Sequence, residues 1–180
     1  MTENAPPSPL VLLGFMGSGK STVGRELARR LGWHFCDLDE RIEKAAGATI
    51  AAIFAQRGEA AFRELEHHEL LSALGAARQR RTVLALGGGT FAQERNHEPI
   101  RAAGGVTVFL EVPVEDLLLR CAGMANRPLF RDEASFRALH DYRLGFYRQA
   151  ALTVAAGGGA PPGVVSERVL EQVRGWRPAP

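Results

Sequence analysis

Residues 14–21, Gly-Phe-Met-Gly-Ser-Gly-Lys-Ser, constrain this chain more than any other stretch. Their spacing of glycines, lysine and hydroxyl is that of a loop that wraps nucleotide phosphates. Glycines such as Gly17 and Gly19 let the backbone turn so that several N–H groups face one anion, with the Ser18 N–H among them. Lys20 adds a positive charge, the Ser21 hydroxyl can ligate magnesium, and Thr22 follows in the first turn of the helix whose positive end faces the same phosphates. An eight-residue pattern arises by chance, so its setting decides. Leu10-Val11-Leu12-Leu13 precedes it as a buried strand would, and Val23, Leu27 and Leu31 follow at helical spacing, with Arg25, Glu26, Arg29 and Arg30 on the polar side. A strand, a glycine-rich loop and an amphipathic helix together form the setting this motif requires.

Apolar and amphipathic segments alternate along the rest of the chain. Strands are expected at 10–13, 34–36, 82–86, 106–110 and 152–154. Helices are expected at 20–31, 39–46, 50–56, 59–74, 114–120, 133–150 and 164–176. That alternation predicts an α/β fold, a five-stranded parallel sheet with helices on both faces and ligands at the carboxyl ends of the strands. At 180 residues one domain is expected, from about 10 to 176, with a disordered tail at 1–9 and a short one at 177–180. The glycine- and proline-rich stretch 157–162 reads as a loop, since too little chain follows it for a second domain. A net charge of +2, without a basic cluster, argues against a nucleic-acid partner. No apolar run approaches the roughly 18 residues of a membrane helix. Cys36 and Cys121 lack metal-ligand spacing and read as packing residues of a cytoplasmic protein. Neighbouring His67 and His68 face different sides of a helix and also read as structural.

A second constellation is Asp37-Leu38-Asp39, expected at the end of the second strand on the loop's edge of the sheet. Residues i and i+2 of an extended chain point the same way. One carboxylate could then hold magnesium while the other reaches an acceptor hydroxyl. Asp37 is the better metal candidate, because the strand ending Val108-Phe109-Leu110-Glu111 supplies no aspartate for that purpose. The alternative is that Asp39 caps the next helix.

With these residues in place, the chain from Leu10 to about Val173 resembles the shikimate kinase family. The phosphate loop with Thr22-Val23-Gly24, the pair Asp37-x-Asp39, Phe62-Arg63-x-x-Glu66 and Leu86-Gly87-Gly88-Gly89 follow its order. So do Arg120, Arg127-Pro128-Leu129 and Arg143-x-x-x-Tyr147. The resemblance implies a three-layer P-loop kinase fold with a mobile lid at about 121–131. It implies transfer of the γ-phosphoryl of ATP to the 3-hydroxyl of shikimate, on the route to aromatic amino acids, by a monomer using Mg²⁺. Lys20, Asp39 and Arg127 would be catalytic, and Asp39, Arg63, Gly87, Gly88, Gly89 and Arg143 would receive shikimate. Gly17, Ser18, Gly19, Lys20, Ser21, Thr22, Arg120, Arg127 and Pro162 would bind ATP, with Ser21 and Asp37 on the metal. Forked guanidinium donors suit a carboxylate, and Arg127 would close over the transferring group.

Individually, these residues have plainer readings. Arg63 and Glu66 at i, i+3 could form a solvated pair, and Gly87–89 a flexible turn. A gluconate kinase would share the fold, and a nucleotide switch that has lost catalysis would lack one of Lys20, Asp37, Asp39 or Arg127, all of which are present. The loop Gly157-Gly158-Gly159-Ala160 lacks the arginine common there in the family. A glycine-rich loop costs more entropy to order, which predicts weaker ATP affinity or looser base selection.

Overall fold

The computed structural model describes residues 6–122 and 132–177. Five strands, β1 (Leu10–Leu13), β2 (His34–Asp37), β3 (Thr82–Ala85), β4 (Val106–Glu111) and β5 (Leu152–Ala155), form one sheet in the order β2-β3-β1-β4-β5. Every pairing is parallel, with Leu12 opposite Ala85 on one side and Val108 on the other. β1 is buried throughout, as a central parallel strand with both faces covered must be.

Helix α1 (Lys20–Leu31) leads from β1 to the far edge, and the chain then returns across the sheet in the opposite direction. Right-handed crossovers therefore put α1 on one face and the later crossover helices on the other. The later helices are α2 (Leu38–Ala46), α3 (Ile50–Ala77), α4 (His97–Ala102), α5 (Val114–Cys121), α6 (Glu133–Tyr147) and α7 (Pro162–Gly175). The last of these returns to pack on α1. The three-layer arrangement is the one the alternating pattern predicts.

Differences from the sequence reading have local causes. The two helices expected at 50–56 and 59–74 do form, as two parts of α3 separated by a kink at Gly58, whose φ of 77° and ψ of 174° lie outside the helical region. Asp37 ends β2 and accepts the backbone N–H of Asp39 (3.0 Å) and Glu40 (3.4 Å), so α2 starts at Leu38. The strand-end geometry expected for the acidic pair is thus replaced by a cap and a first helical turn, and the capping residue is Asp37, not Asp39. Helix α4 and the two 3₁₀ turns before it, Thr90–Ala92 and Glu94–Asn96, had no periodic signal, being short and holding Pro99. In the stretch expected as an N-terminal tail, Ser8 Oγ accepts the Thr82 N–H (3.1 Å) and the Pro9 carbonyl accepts the Val106 N–H (3.0 Å).

Gly24 and Gly75 both lie within helices, yet opposite effects are expected of alanine at the two positions. At Gly24 a Cβ would lie 2.5 Å from the Phe35 ring and 3.3 Å from Leu12 beneath it. Overpacking of about 1–3 kcal/mol outweighs the gain in helix propensity of about 1 kcal/mol. Around Gly75 nothing lies within 4 Å. Urea denaturation should show a lower midpoint for Gly24→Ala and a higher one for Gly75→Ala.

Candidate active site

The carboxyl ends of the strands converge on the phosphate loop and a cavity of about 880 Å³ beside it. Gly17 and Gly19 have φ of 78° and 90°, left-handed values that side chains disfavour. Lys20 Nζ donates to the carbonyls of Gly14 (2.9 Å) and Phe15 (3.0 Å), and Ser18 is buried within the loop. Thr22 is exposed two residues beyond Lys20 in α1. Phe15 anchors the loop to α6: its ring meets Phe136 edge-on at 5.0 Å and His140 at 5.3 Å, and the Arg143 guanidinium lies over it at 5.6 Å. Positions 136, 140 and 143 share one helical face, so the loop-gripping residues and Arg143 are fixed together.

Ser21 Oγ donates to Asp37 Oδ2 at 2.5 Å, while Asp37 Oδ1 caps α2. One oxygen of Asp37 is therefore structural and the other faces the loop. This pair of hard oxygens beside the phosphate cradle fits Mg²⁺, which favours few protein ligands and completes its shell with water and phosphate.

On the other side of the cavity stand Asp39, Arg63, Arg143 and the glycine triplet. The triplet owes its lack of side chains to space. A Cβ on Gly87 would lie 2.6 Å from Asp39 Oδ1, one on Gly88 3.3 Å from Arg143 Nη1, and one on Gly89 2.7 Å from Arg63 Nη2. Each glycine thus makes room for one polar group of the site. Tyr147, buried one turn after Arg143, donates its hydroxyl to the Gly88 carbonyl. Burial pushes that phenol up to about 12, against the opposing pull of Arg143 and Arg63, so it remains a donor at neutral pH.

Glu66 is only 1% exposed, and Arg63 Nη1 (2.7 Å), Thr90 Oγ1 (2.6 Å) and Gln93 Nε2 (2.6 Å) all donate to it. Burial on this scale excludes the solvated-pair reading of Arg63 and Glu66. Thr90 and Gln93 carry no local sequence signal, because their partner lies 24 and 27 residues away, and the Gly88 partner of the motif residue Tyr147 lies 59 residues away. His67 Nδ1 pairs with Asn96 Oδ1 at 2.6 Å and His68 Nδ1 with Glu69 at 3.3 Å, as structural histidines do. Cys36 and Cys121 are not joined in a disulfide, and Cys121 donates weakly to the Met16 carbonyl (3.8 Å).

The nucleotide side is organised by α5. Arg120 donates to the carbonyls of Gly17 (3.1 Å) and Ala156 (3.3 Å), joining the phosphate loop to the loop before α7. One turn earlier, Asp116 Oδ2 accepts the Gly158 N–H at 2.6 Å. Gly157 lies so close to Pro113 that a Cβ would be 2.3 Å from its ring. The first part of the glycine-rich loop is thereby held against α5. Pro162 stands exposed at the start of α7. Arg127 and the lid expected at 121–131 lie outside the described residues, apart from Cys121 and Ala122.

A phosphate loop after a central parallel strand, opening onto a cavity lined by Arg63, Arg143 and several carboxylates, defines the class of P-loop kinases acting on small molecules. Comparison with known proteins narrows the class. The model of the family described as shikimate kinase matches residues 16–174, and the chain belongs to that family. A shikimate kinase of Synechococcus elongatus is 40% identical over 167 residues, covering 91% of this chain and 85% of that protein. The solved shikimate kinase of Acinetobacter baumannii in complex with shikimate superposes with a TM-score of 0.86 at 37% identity, covering 94% of both chains. A gluconokinase from Sinorhizobium meliloti, covering 95% of this chain and 93% of its own, has a TM-score of 0.60 at 17% identity, a likeness of fold alone.

Removal of the Asp116 carboxylate frees the Gly158 N–H and the loop it holds. Asp116→Ala is expected to raise the KM for ATP by about tenfold, the lower end of what one charge-assisted hydrogen bond contributes. The acceptor KM should stay unchanged in the same steady-state measurements.

Proposed function

We propose that the chain transfers the γ-phosphoryl group of ATP to the 3-hydroxyl of shikimate, serving aromatic amino acid biosynthesis, with the phosphate loop and the adjoining cavity as one donor–acceptor site. The observation that carries this reading is the convergence of Asp39, Arg63, Arg143 and the bare backbone of Gly87–89 on a cavity that also reaches Ser21 and Asp37. A small ring bearing one carboxylate and several hydroxyls matches that lining. The two guanidiniums take the carboxylate, and the ring lies against the glycine backbone. Asp39 orients the attacking hydroxyl and accepts its proton as the oxygen bonds to phosphorus and the bond to the β-phosphate oxygen breaks.

Such transfer depends on positioning and charge stabilisation. Gly17, Ser18, Gly19 and Thr22 present the loop and helix terminus to the phosphates. Lys20 moves from its loop carbonyls to the β- and γ-oxygens. Ser21 and Asp37 would hold Mg²⁺, which would supply positive charge to offset that of the phosphates. Arg120 and Pro162 border the base, and Arg127 closes over the transferring group and excludes water. The domain limits of about 10–176, the mobile lid and a cytoplasmic monomer without nucleic-acid or membrane partners belong to the same proposal. Among the described residues the exposed large apolar side chains Leu71, Leu119, Tyr142 and Val164 sit on four separate helices. Among the described residues no helix is long and apolar enough to cross a membrane.

An ADP-release assay with magnesium-ATP and shikimate, gluconate, quinate or no acceptor tests the reading. Release with shikimate alone is expected; release with gluconate instead would move the chain to another branch of the fold. Lys20→Ala and Asp39→Asn should nearly abolish turnover in a folded protein. Arg63→Ala and Arg143→Ala should chiefly raise the shikimate KM, each removing a contact of about 1.5–3 kcal/mol. Arg127→Ala should lower kcat instead, as loss of a transition-state contact does.

A further inference from the structure

A guanidinium beside a buried carboxylate is ordinarily spent on it. Two parallel N–H bonds to one carboxylate are the favoured geometry and leave little preference for a second anion. Arg63 escapes this. It meets Glu66 through Nη1 alone, while Nε and Nη2 lie 3.4 and 3.2 Å from Glu59. The Glu59 side chain is 69% exposed, a pairing weak enough for an incoming anion to replace.

Glu66 is kept from the two-point geometry by neutral donors. The Thr90 hydroxyl occupies Oε1, and the Gln93 amide shares Oε2 with Arg63. These donors are themselves fixed. Asn96, fully buried, donates its amide to the Thr90 carbonyl at 2.8 Å, which turns its oxygen toward His67. The Nδ1 of His67 is then the donor of that contact. A chain of bonds from α3 through the 3₁₀ turns and back to α3 thus sets the angle of one carboxylate.

We infer that Thr90 and Gln93 are positioning residues: they hold Glu66 in single-point contact with Arg63 and so reserve the remaining Arg63 N–H groups for the substrate's carboxylate. The inference rests on the proposed role of Arg63. Without the Thr90 hydroxyl, Glu66 Oε1 is left buried without that donor, and rotation toward Arg63 is the nearest remedy. The guanidinium would then be withdrawn from the cavity and its charge matched internally.

The test compares Thr90→Val, which keeps shape and removes the hydroxyl, with Thr90→Ser, which keeps the hydroxyl. Gln93→Leu, nearer the surface, carries the test should Thr90→Val fail to fold. Steady-state constants are measured for shikimate and for its methyl ester, which lacks the charge. The expected result is a rise of about tenfold in the shikimate KM, the scale of one charge-assisted hydrogen bond. The ester KM, the ATP KM and kcat should stay within about twofold, and Thr90→Ser should match the wild type. The preference for acid over ester therefore shrinks. An unchanged preference in Thr90→Val and Gln93→Leu overturns the inference, as does an equal loss for both acceptors, which would mark a purely structural role. Arg63→Ala separates the two levels. If it removes the acid preference while the other variants do not, only the positioning of Arg63 is wrong. If it leaves the preference intact, the assignment of Arg63 to the carboxylate falls, and the inference with it.

Discussion

Parallel pairing of β1 with β3 on one side and β4 on the other is the constraint on which the rest of the molecule depends. Because all five strands run the same way, the segments that follow them emerge at one edge. The phosphate loop follows β1, Asp37 ends β2, the glycine triplet follows β3, and the Asp116–Arg120 turn of α5 and the Ala156 loop follow β4 and β5. The crossovers diverge from β1, so the crevice there is left open between helices instead of being covered by one. No single element contributes the whole site.

The electrostatics of the cavity follow from which charges are matched by helices and which by neutral groups. Arg143 is buried over the Phe15 ring, and Glu66 is buried among two neutral donors and one cation. Burying an ion without partners is costly, and pairing every ion internally would leave nothing for a ligand. The arrangement lies between these limits. Tyr147 contributes in the same way: as a protonated phenol it fixes the Gly88 carbonyl without adding charge.

Much of this was legible in the chain. The phosphate loop, the five strands and most helices have strong local patterns, and the order of motifs from Leu10 to Val173 is specific to one family. Asp37, Asp39, Arg63, Arg143 and the glycines meet where the motifs imply. What remained hidden depends on distance along the chain. Thr90 matters through Glu66, Asp116 through Gly158, and Tyr147 through Gly88, and no periodicity links such pairs. The space requirement at Gly87–89 was likewise hidden. Glycines suggested bare backbone for a ring, whereas the structure shows them also clearing Asp39, Arg143 and Arg63. The capping role of Asp37 shows how a two-residue spacing misleads once a strand turns directly into a helix.

Helix α6 grips the phosphate loop through Phe136 and His140 and the acceptor wall through Tyr147, with Arg143 between them. Donor and acceptor halves are therefore mounted on one rigid rod. The grip on the phosphate loop at Phe136 and the grip on the Gly88 carbonyl at Tyr147 are thereby held about 16 Å apart along one helix axis, a length set by helical rise that thermal motion changes little.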